Sequence, residues 1–432
     1  MLINNILTSK SINLNSRIQN ILNMKALKKG IKLFVIFIFT AIFTNAQDAS
    51  YFPAANNWER KSPTFFKIDT NKIKEAIQFS TQHESKFPRN ARITQAMQYA
   101  KEPFGDPVGP MMDRGGLSGL IIYKGYIIAE WGDPTIVETC NSVTKSWVSS
   151  IVGLALDKGL ISSIDDKVNN YMPPIQPYTT LMNTNQSPIA IKDFIQPFAS
   201  PHNKKISWDH LLRQTSDWEG ELWGKPDWAD RPSENSAEWL TRKRNEPGTS
   251  YKYNDTRVNA LALAMTAVWH KPLPEVLREN IMQPIGASNT WSWAGYETSW
   301  IVLDGKPVQS VSGGGHFGGG MFINAYDMAR FGLLTLHKGN WQGKQLLSSG
   351  WFKKATTPTS VNPEYGFMNY FLNTDKKLYP SAPASAYAHM GNGTNIIYVD
   401  EVNDLVVVVR WIEGDSIDEF LKKLLAALPA KK

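Results

Sequence analysis

Residues 141–159 read NSVTKSWVSSIVGLALDKG and decide the fold. Their apolar side chains recur at spacings of three and four, which predicts a helix over 142–158 that ends at Gly159. Ser142 and Lys145 lie three residues apart, so on that helix the amine reaches the hydroxyl. A serine hydroxyl is a weak nucleophile that needs such a base, and lysine serves as one only when burial or nearby cations lower its pKa. Taken alone, the stretch fits a Ser–Lys nucleophilic pair and an ordinary helix start equally well, so its context has to decide.

Strand signals lie on both sides of this helix. Two β-rich runs at 117–123 and 126–131, joined by Lys124-Gly125, predict a hairpin. Runs at 395–399 and 405–411 predict a second antiparallel pair. Further predicted helices cover 71–83, 91–100, 208–214, 236–244, 256–269 and 417–428. The pattern indicates an α/β (α+β) fold: an antiparallel sheet from about 110–135 and 290–432, flanked by helices, with a helical subdomain of about 142–285 inserted.

The first 46 residues are typical of a targeting segment. A basic stretch after Met24 precedes an apolar run at 33–43, and Thr44-Asn45-Ala46 offers small residues for cleavage. We expect 1–23 to be a misassigned extension, 24–46 a signal peptide cleaved near Ala46, and 47–432 the exported domain, periplasmic or secreted. An uncleaved anchor stays open as an alternative, although the apolar run is short for a bilayer-spanning helix. Cleavage would leave no stable membrane anchor.

The net charge limits the classes of binding partner to expect, and the cysteine count excludes an internal disulfide. The formal net charge is +7, but six basic residues and no acidic one lie in the first 46, so the rest carries +1. A nearly neutral domain gives no electrostatic reason to expect nucleic acid or an anionic membrane as a partner. Cys140 is the single cysteine, so no internal disulfide forms. We expect it to be a small buried residue without reactivity.

Several segments occur in an order that resembles the serine β-lactamase and penicillin-binding-protein superfamily, including its class C, esterase and 6-aminohexanoate-dimer-hydrolase branches. After the S-x-x-K segment at 142–145, the similar segments are 159–168, 206–216, the tyrosine approach at 247–255, the glycine-rich 318–331 and His389-Met390-Gly391. The resemblance covers roughly 116–411.

The resemblance implies roles for individual residues. Ser142 would be acylated, Lys145 would take its proton, and Tyr253 would carry the proton to the leaving group. The backbone N–H groups of Ser142 and Asn392 would form the oxyanion hole, because two converging donors are what a tetrahedral oxyanion requires. Tyr251 remains a competing candidate for the tyrosine.

Substrate contacts are expected at four positions. The resemblance implies Asp255, His389 and Gly391, and the tryptophan-rich stretch at 218–239 suggests Trp223 at the cleft mouth. Asp255 stands where the superfamily has Asn, and His389 where it has Lys. An ionised Asp at 255 cannot donate a hydrogen bond to a substrate amide carbonyl. His389, together with Met390 in place of a hydroxyl residue, weakens the recognition of a substrate carboxylate. His389 as a neutral structural residue stays open.

The sequence thus predicts a serine hydrolase, of amidase or esterase type, acting on small amides, esters or short peptides. No cofactor is expected, and no His, Cys or Asp cluster has metal-ligand spacing. A D-amino-acid peptidase or a β-lactamase stays open, as does a non-catalytic relative that binds cell-wall peptides or glycans. A Ser-His-Asp esterase is disfavoured because the sequence contains no G-x-S-x-G.

Overall fold

The predicted N-terminal hairpin forms as expected. Strands β1 (Ser118–Tyr123) and β2 (Tyr126–Trp131) pair antiparallel. Lys124 and Gly125 turn the chain with φ of 50° and 84°, the left-handed conformation that a two-residue hairpin requires. These observations come from a computed structural model that describes residues 51–178, 194–371 and 377–430. The predicted targeting segment lies outside the described residues.

The main sheet joins the two ends of the domain. Its order is β12-β13-β14-β15-β1-β2, so the last strand of the chain, β15 (Leu405–Arg410), lies beside β1 with Leu405 opposite Tyr123. The other members are β12 (Tyr370–Phe371), β13 (Tyr387–Gly391) and β14 (Asn395–Asp400). Residues from Phe52 onward form one compact unit.

Helices cover both faces of this sheet. On one face, helices α1 (Thr70–Gln82) and α9 (Ile417–Leu425) pack into the core through Ile73, Phe420 and Leu424. On the other face, helix α7 (Ala325–Leu336) brings Gly332 so close that a Cβ would lie 2.6 Å from Ile397 and 2.7 Å from Val406. Because α7 lies so close to the sheet, the helix that follows Ser142, which lies behind α7, is also held near the sheet.

A second sheet was not predicted. Strands β3 (Glu138–Thr139), β9 (Gly320–Ile323), β7 (Ser292–Leu303) and β4 (Gln176–Pro177) pair in that order, and β8 (Lys306–Val311) adds to β7. The prediction of one sheet including residue 290 onward is therefore wrong. Asp304-Gly305 forms a tight turn at positive φ, so β7 finds its partner locally.

The block between the two ends is less helical than predicted. Its helices are α3 (Thr144–Asp157), α4 (Trp208–Leu212), α5 (Asp255–Trp269) and α6 (Leu273–Leu277), the last followed by a π-helical turn, Arg278–Met282. The expected helix over 236–244 is only a 3-10 turn, Ser236–Glu238. Arg242 and Arg244 beyond it pair with the buried carboxylates Asp217 and Asp227, contacts that hold the segment as a loop.

The remaining elements are small or lie at the edges. They are α2 (Ala91–Tyr99), α8 (Ser349–Ala355) and the hairpins β5 (Glu221–Leu222) with β6 (Lys225–Pro226) and β10 (Asn340–Trp341) with β11 (Lys344–Gln345). In the described parts of the chain, no helix is long and apolar enough to span a membrane.

Candidate active site

Ser142 and Lys145 meet at the start of α3. Ser142 lies in a 3-10 turn, Asn141–Val143, that leads directly into the helix, with Asn141 at φ 49°. The Lys145 Nζ donates a hydrogen bond of 2.9 Å to the Ser142 Oγ. Twelve of the fourteen residues of α3 are buried, so tertiary packing fixes the helix and with it the geometry of this pair.

Asp255 is the closest charged partner of Lys145. The Lys145 Nζ lies 2.7 Å from the Asp255 Oδ1, and both side chains are 1% exposed. Burial lowers the pKa of Lys145 below its usual value, whereas the Asp255 carboxylate works against that shift. Burial alone would raise the pKa of Asp255, but Lys145 and Arg231 hold it below its usual value. The expected substrate contact at Asp255 is thus not what the structure has: this carboxylate is the buried partner of the amine.

Tyr253 completes the group around the nucleophile. Its ring centroid lies 4.7 Å from the Lys145 Nζ, and its hydroxyl is near enough to the Ser142 side chain for that group to act on its pKa, in the downward direction. Burial, with the Asp255 charge, raises the pKa of Tyr253, so its hydroxyl keeps its proton. Tyr251 instead packs on Tyr365 at 5.4 Å. The structure therefore brings Tyr253, and not Tyr251, to Ser142.

Arg231 is a site residue that the sequence did not reveal. Its guanidinium carbon lies 5.0 Å from the centroid of the Tyr253 ring, and its Nη1 is 3.6 Å from the Asp255 Oδ1. It also pairs with the adjacent Asp230. Its positive charge favours a neutral Lys145, as its effect on the Lys145 pKa is downward. No periodicity or motif marks Arg231 in its loop, so only the fold could identify it.

The glycines at 313–320 lie in a turn that covers this site. A Cβ on Gly314 would collide with the Lys145 Nζ and the Asp255 carboxylate. A Cβ on Gly318 would overlap the Gly109 backbone, and Gly319 N donates to the Pro110 carbonyl at 2.8 Å. The cluster is thus a closely packed turn over the Lys145–Asp255 pair.

The end of β13 lies against the nucleophile turn. A Cβ on Gly391 would lie 3.0 Å from the Ser142 backbone N and would overlap the Cys140 carbonyl. In the next residue, the Asn392 carbonyl accepts hydrogen bonds from the side-chain amides of Asn141 (3.0 Å) and Asn395 (2.8 Å). These bonds fix the Asn392 backbone in the turn beside Ser142, where the second oxyanion donor is expected.

The chain also matches a known protein family over most of its length. The β-lactamase family profile matches residues 111–419. The chain belongs to the β-lactamase family. No curated protein matches it significantly in sequence.

Several solved structures share the fold of this chain. A Bacillus anthracis protein assigned as a 6-aminohexanoate-dimer hydrolase aligns with a TM-score of 0.51 at 16% identity, over 88% of this chain and 87% of that one. EstCE1, a hydrolase with promiscuous acyltransferase activity, aligns with 0.51 at 15%, over 83% and 98%. A penicillin-binding-protein homologue from Caulobacter crescentus aligns with 0.51 at 14%, over 84% and 99%. At these identities the likeness establishes the fold alone.

His389 lies behind the cleft and not on its surface. It is 5% exposed, and its Nδ1 is 2.7 Å from the Oγ of Ser146, one turn beyond Ser142 on α3. Ser146 donates in turn to the Met368 carbonyl at 2.9 Å. Burial lowers the pKa of His389 to about 3. The expected substrate contact is therefore replaced by a neutral tether between β13 and α3, the structural alternative left open above.

Trp223 does not reach the site. It lies in the turn between β5 and β6 at φ 60°, is 8% exposed, and accepts a hydrogen bond from Thr298 at its backbone carbonyl. It is absent from the lining of the cleft beside Ser142. The expected substrate contact at Trp223 is not supported by this position.

Cys140 is sealed in the core, as expected. It is 0% exposed, and burial raises the pKa of its thiol to about 11. A thiol that stays protonated at neutral pH is a poor nucleophile, so this residue does not compete with Ser142.

Three residues near Arg231 could in principle hold a metal ion. Glu102, Asp230 and His316 bring one donor atom each within 4.8 Å of one another, although they are too far apart in sequence for spacing to reveal them. The His316 Nε2 lies 2.7 Å from the Glu102 Oε2, and Arg231 donates to the His316 Nδ1 at 3.3 Å. Because the Arg231 guanidinium already supplies a positive charge here, these three residues are better suited to holding Arg231 than a metal ion.

Proposed function

We propose that this protein is an exported serine hydrolase that cleaves small amide, ester or short peptide bonds through an acyl-enzyme on Ser142. The observation that carries the proposal is the 2.9 Å hydrogen bond between the Lys145 Nζ and the Ser142 Oγ in a buried setting. A nucleophile and base within hydrogen-bond reach are the signature of covalent catalysis.

The reaction begins with proton transfer. A neutral Lys145 amine takes the Ser142 hydroxyl proton as the Oγ attacks the substrate carbonyl carbon. The carbonyl oxygen becomes an oxyanion that accepts hydrogen bonds from the Ser142 and Asn392 N–H groups. The bond to the leaving group then breaks, and the proton passes from Lys145 through the Tyr253 hydroxyl to that group. The result is an ester between Ser142 and the acyl group.

Water completes the cycle. It attacks the acyl carbon while the amine and tyrosine accept its proton, and the Ser142 Oγ leaves and is reprotonated. Each step uses the same Lys145–Tyr253 path in reverse order, as microscopic reversibility requires. No group beyond these residues and water is needed for the balance of atoms.

The substrate preference follows from the strand side of the cleft. His389 is neutral and buried where the superfamily has a lysine, so this position offers no cation to a penicillin-type carboxylate. Amides, esters and short peptides are therefore favoured over β-lactams. Export rests on the composition of residues 24–46 and is tested by N-terminal sequencing of the mature protein, with Gln47 the expected first residue.

A second candidate function is a non-catalytic relative that binds cell-wall peptides or glycans. The Asp255 carboxylate favours it, because an ion pair at 2.7 Å stabilises the ammonium form of Lys145 and an ammonium cannot accept the serine proton. Arg231 and burial oppose this effect, which is why catalysis is preferred here.

A fluorophosphonate probe separates the two functions. The catalytic protein should gain one adduct mass at Ser142 and hydrolyse p-nitrophenyl acetate, and Ser142→Ala should lose both. Ser62→Ala, which removes an exposed hydroxyl bonded only locally to Thr64, serves as the control and should keep both. Peptidoglycan-fragment binding by a wild-type protein that gives no adduct would establish the non-catalytic function instead.

A further inference from the structure

A cleft opens next to Ser142 and is lined by its neighbours Asn141 and Asn392. It runs from Asn141 and Asn392 to Arg89 and Arg114, and about 550 Å³ of space, part of it open to solvent, lies along it. Met111, Met112 and Trp411 give it apolar surface between these ends. The groove between these ends offers a path along which an acyl arm longer than acetyl can extend from Asn392 towards Arg89.

Helix α2 forms one wall of this cleft. The Gln95 Nε2 donates to the His316 carbonyl at 2.6 Å. The Gln98 and Asn392 side-chain amides exchange two hydrogen bonds, one of 2.5 Å from Asn392 and one of 3.4 Å from Gln98. The opposite face of α2 leaves Ile93 53% and Met97 65% exposed. The helix is thus attached to the cleft by amide groups and not by an apolar core.

This wall lies outside the shared family region. The family profile begins at residue 111, whereas α2 spans Ala91–Tyr99. The helix nevertheless contacts Asn392, the expected oxyanion residue. The wall therefore lies before the region that the family profile matches and contacts the common site directly.

The position of Tyr253 decides which substrate arm enters the cleft. Tyr253 and Lys145 hand the proton to the leaving group, so that group must lie on their side of Ser142. Neither residue lines the cleft, whereas Asn392 does. The part of the substrate that lies between α2 and Asn392 is therefore its acyl group.

The charges of the lining decide what that arm carries. Among the residues that the structure describes, two arginines and no acidic side chain line the cleft. The Arg114 side chain is 6% exposed and already bonded to Glu84 at 2.8 Å and to backbone carbonyls. The Arg89 side chain is 65% exposed, and its only acidic contact among the described residues is Glu84 at 3.7 Å. Arg89 can therefore pair with a carboxylate, and an ammonium would be repelled.

We propose that α2 adds an acyl subsite to the family core, and that this subsite takes an elongated acyl arm, apolar along its length, that ends in a carboxylate held by Arg89. The inference rests on the proposed acyl-enzyme at Ser142. Gln98 is the wall residue that fixes the width of the subsite next to Asn392.

The test compares p-nitrophenyl esters of six-carbon acyl chains that differ only at the far end: a free carboxylate (adipate), its methyl ester, and an ammonium (6-aminohexanoate). The expected order of kcat/KM is carboxylate, methyl ester, ammonium. In Arg89→Ala the preference for carboxylate over methyl ester should fall by about tenfold, the size of one charge-assisted hydrogen bond. Lys86→Ala, which removes an exposed cation outside the lining, should keep the wild-type preference.

A second variant pair tests the wall. Gln98→Ala should change the ratio of kcat/KM between six-carbon and two-carbon esters, whereas Met97→Ala, on the exposed face of the same helix, should not. Equal use of the three six-carbon esters by a wild-type protein that is labelled at Ser142 would overturn the subsite while leaving the proposed function intact. Retention of the preference in Arg89→Ala would do the same. Absence of labelling and of turnover on every ester would overturn the proposed function, and the subsite with it.

Discussion

The two walls that meet at Ser142 differ in character. The helix wall, which is distinct from α2, consists of Lys145 on α3, Asp255 on α5 and Arg231 in a loop. Lys145 and Arg231 each lie within 4 Å of the Asp255 carboxylate. The strand wall carries His389, Gly391 and Asn392, with a neutral imidazole and backbone groups. The difference teaches that proton transfer depends on side chains of the helix wall, whereas oxyanion binding depends on how the strand wall is held. Substitutions on the two walls should therefore fail in different ways.

The largest effect is expected from the base on the helix wall. Lys145→Ala should lower kcat/KM for p-nitrophenyl acetate by about 10²–10⁴-fold, the usual contribution of a general base. Lys158→Ala, at the exposed end of the same helix, is the control. Because Lys145→Ala strands the Asp255 carboxylate, the double variant with Asp255→Asn shows whether the loss is catalytic or due to unfolding. A double variant that is folded and active would contradict the role of Lys145.

The next effect comes from the tyrosine beside Ser142. Tyr253→Phe keeps the ring over Lys145 but removes the hydroxyl, so kcat should fall by about 10²-fold with the fold intact. The Tyr251 side chain packs on Tyr365 and not on Ser142, so Tyr251→Phe should leave kcat nearly unchanged. Equal losses in the two variants, measured with near-ultraviolet circular dichroism as the check on folding, would show that the tyrosines act through packing alone.

Asp255→Asn sharpens the comparison through pH. Lys145 is a base only when neutral, so activity falls as the pH drops through its pKa. The Asp255 carboxylate raises that pKa, and its removal should move the acidic limb of the kcat/KM profile to lower pH by about one to three units. Asp133→Asn, at an exposed turn, is the control. A limb that stays in place or moves to higher pH would contradict the electrostatic role of Asp255.

On the strand wall, the titration of His389 should affect stability. The pKa of His389 is about 3 in the folded protein and about 6.5 in an unfolded chain, so below pH 6.5 the unfolded state binds more protons. Stability should therefore fall as the pH drops from 6.5 towards 3, by up to about 1.4 kcal/mol per pH unit.

His389→Gln removes this titration. Its thermal midpoint should depend less on pH over that range than that of the wild type, while His270→Gln, at an exposed helix end, should behave as the wild type does. Identical pH dependence in all three proteins would mean that His389 is accessible to protons in the folded state.

Local patterns predicted the elements around the nucleophile. The β1–β2 hairpin follows from its turn residues, and the helix after Ser142 follows from apolar spacing. The helix over 256–269 is observed as Asp255–Trp269 for the same reason. In each case the contacts that form the element lie within a few residues of one another, so the sequence contains them.

Contacts between distant segments could not be predicted in this way. The pairing of β7 with β9 rather than with the main sheet depends on which strand reaches which edge. Arg231 comes within 3.6 Å of Asp255 because two loops converge, and nothing in either loop indicates it. Asp255 itself did carry a signal, because it is an acid where the superfamily has an amide. It was interpreted as a substrate contact because its distance to Lys145 was unknown.

The burial of Cys140 has a practical consequence for following motion. Because the single native thiol is inaccessible and stays protonated, a cysteine introduced by Met97→Cys on the outer face of α2 would be the sole reactive handle on the molecule. A fluorophore attached there would report by its emission whether the helix shifts when an acyl chain enters, without any background from the interior.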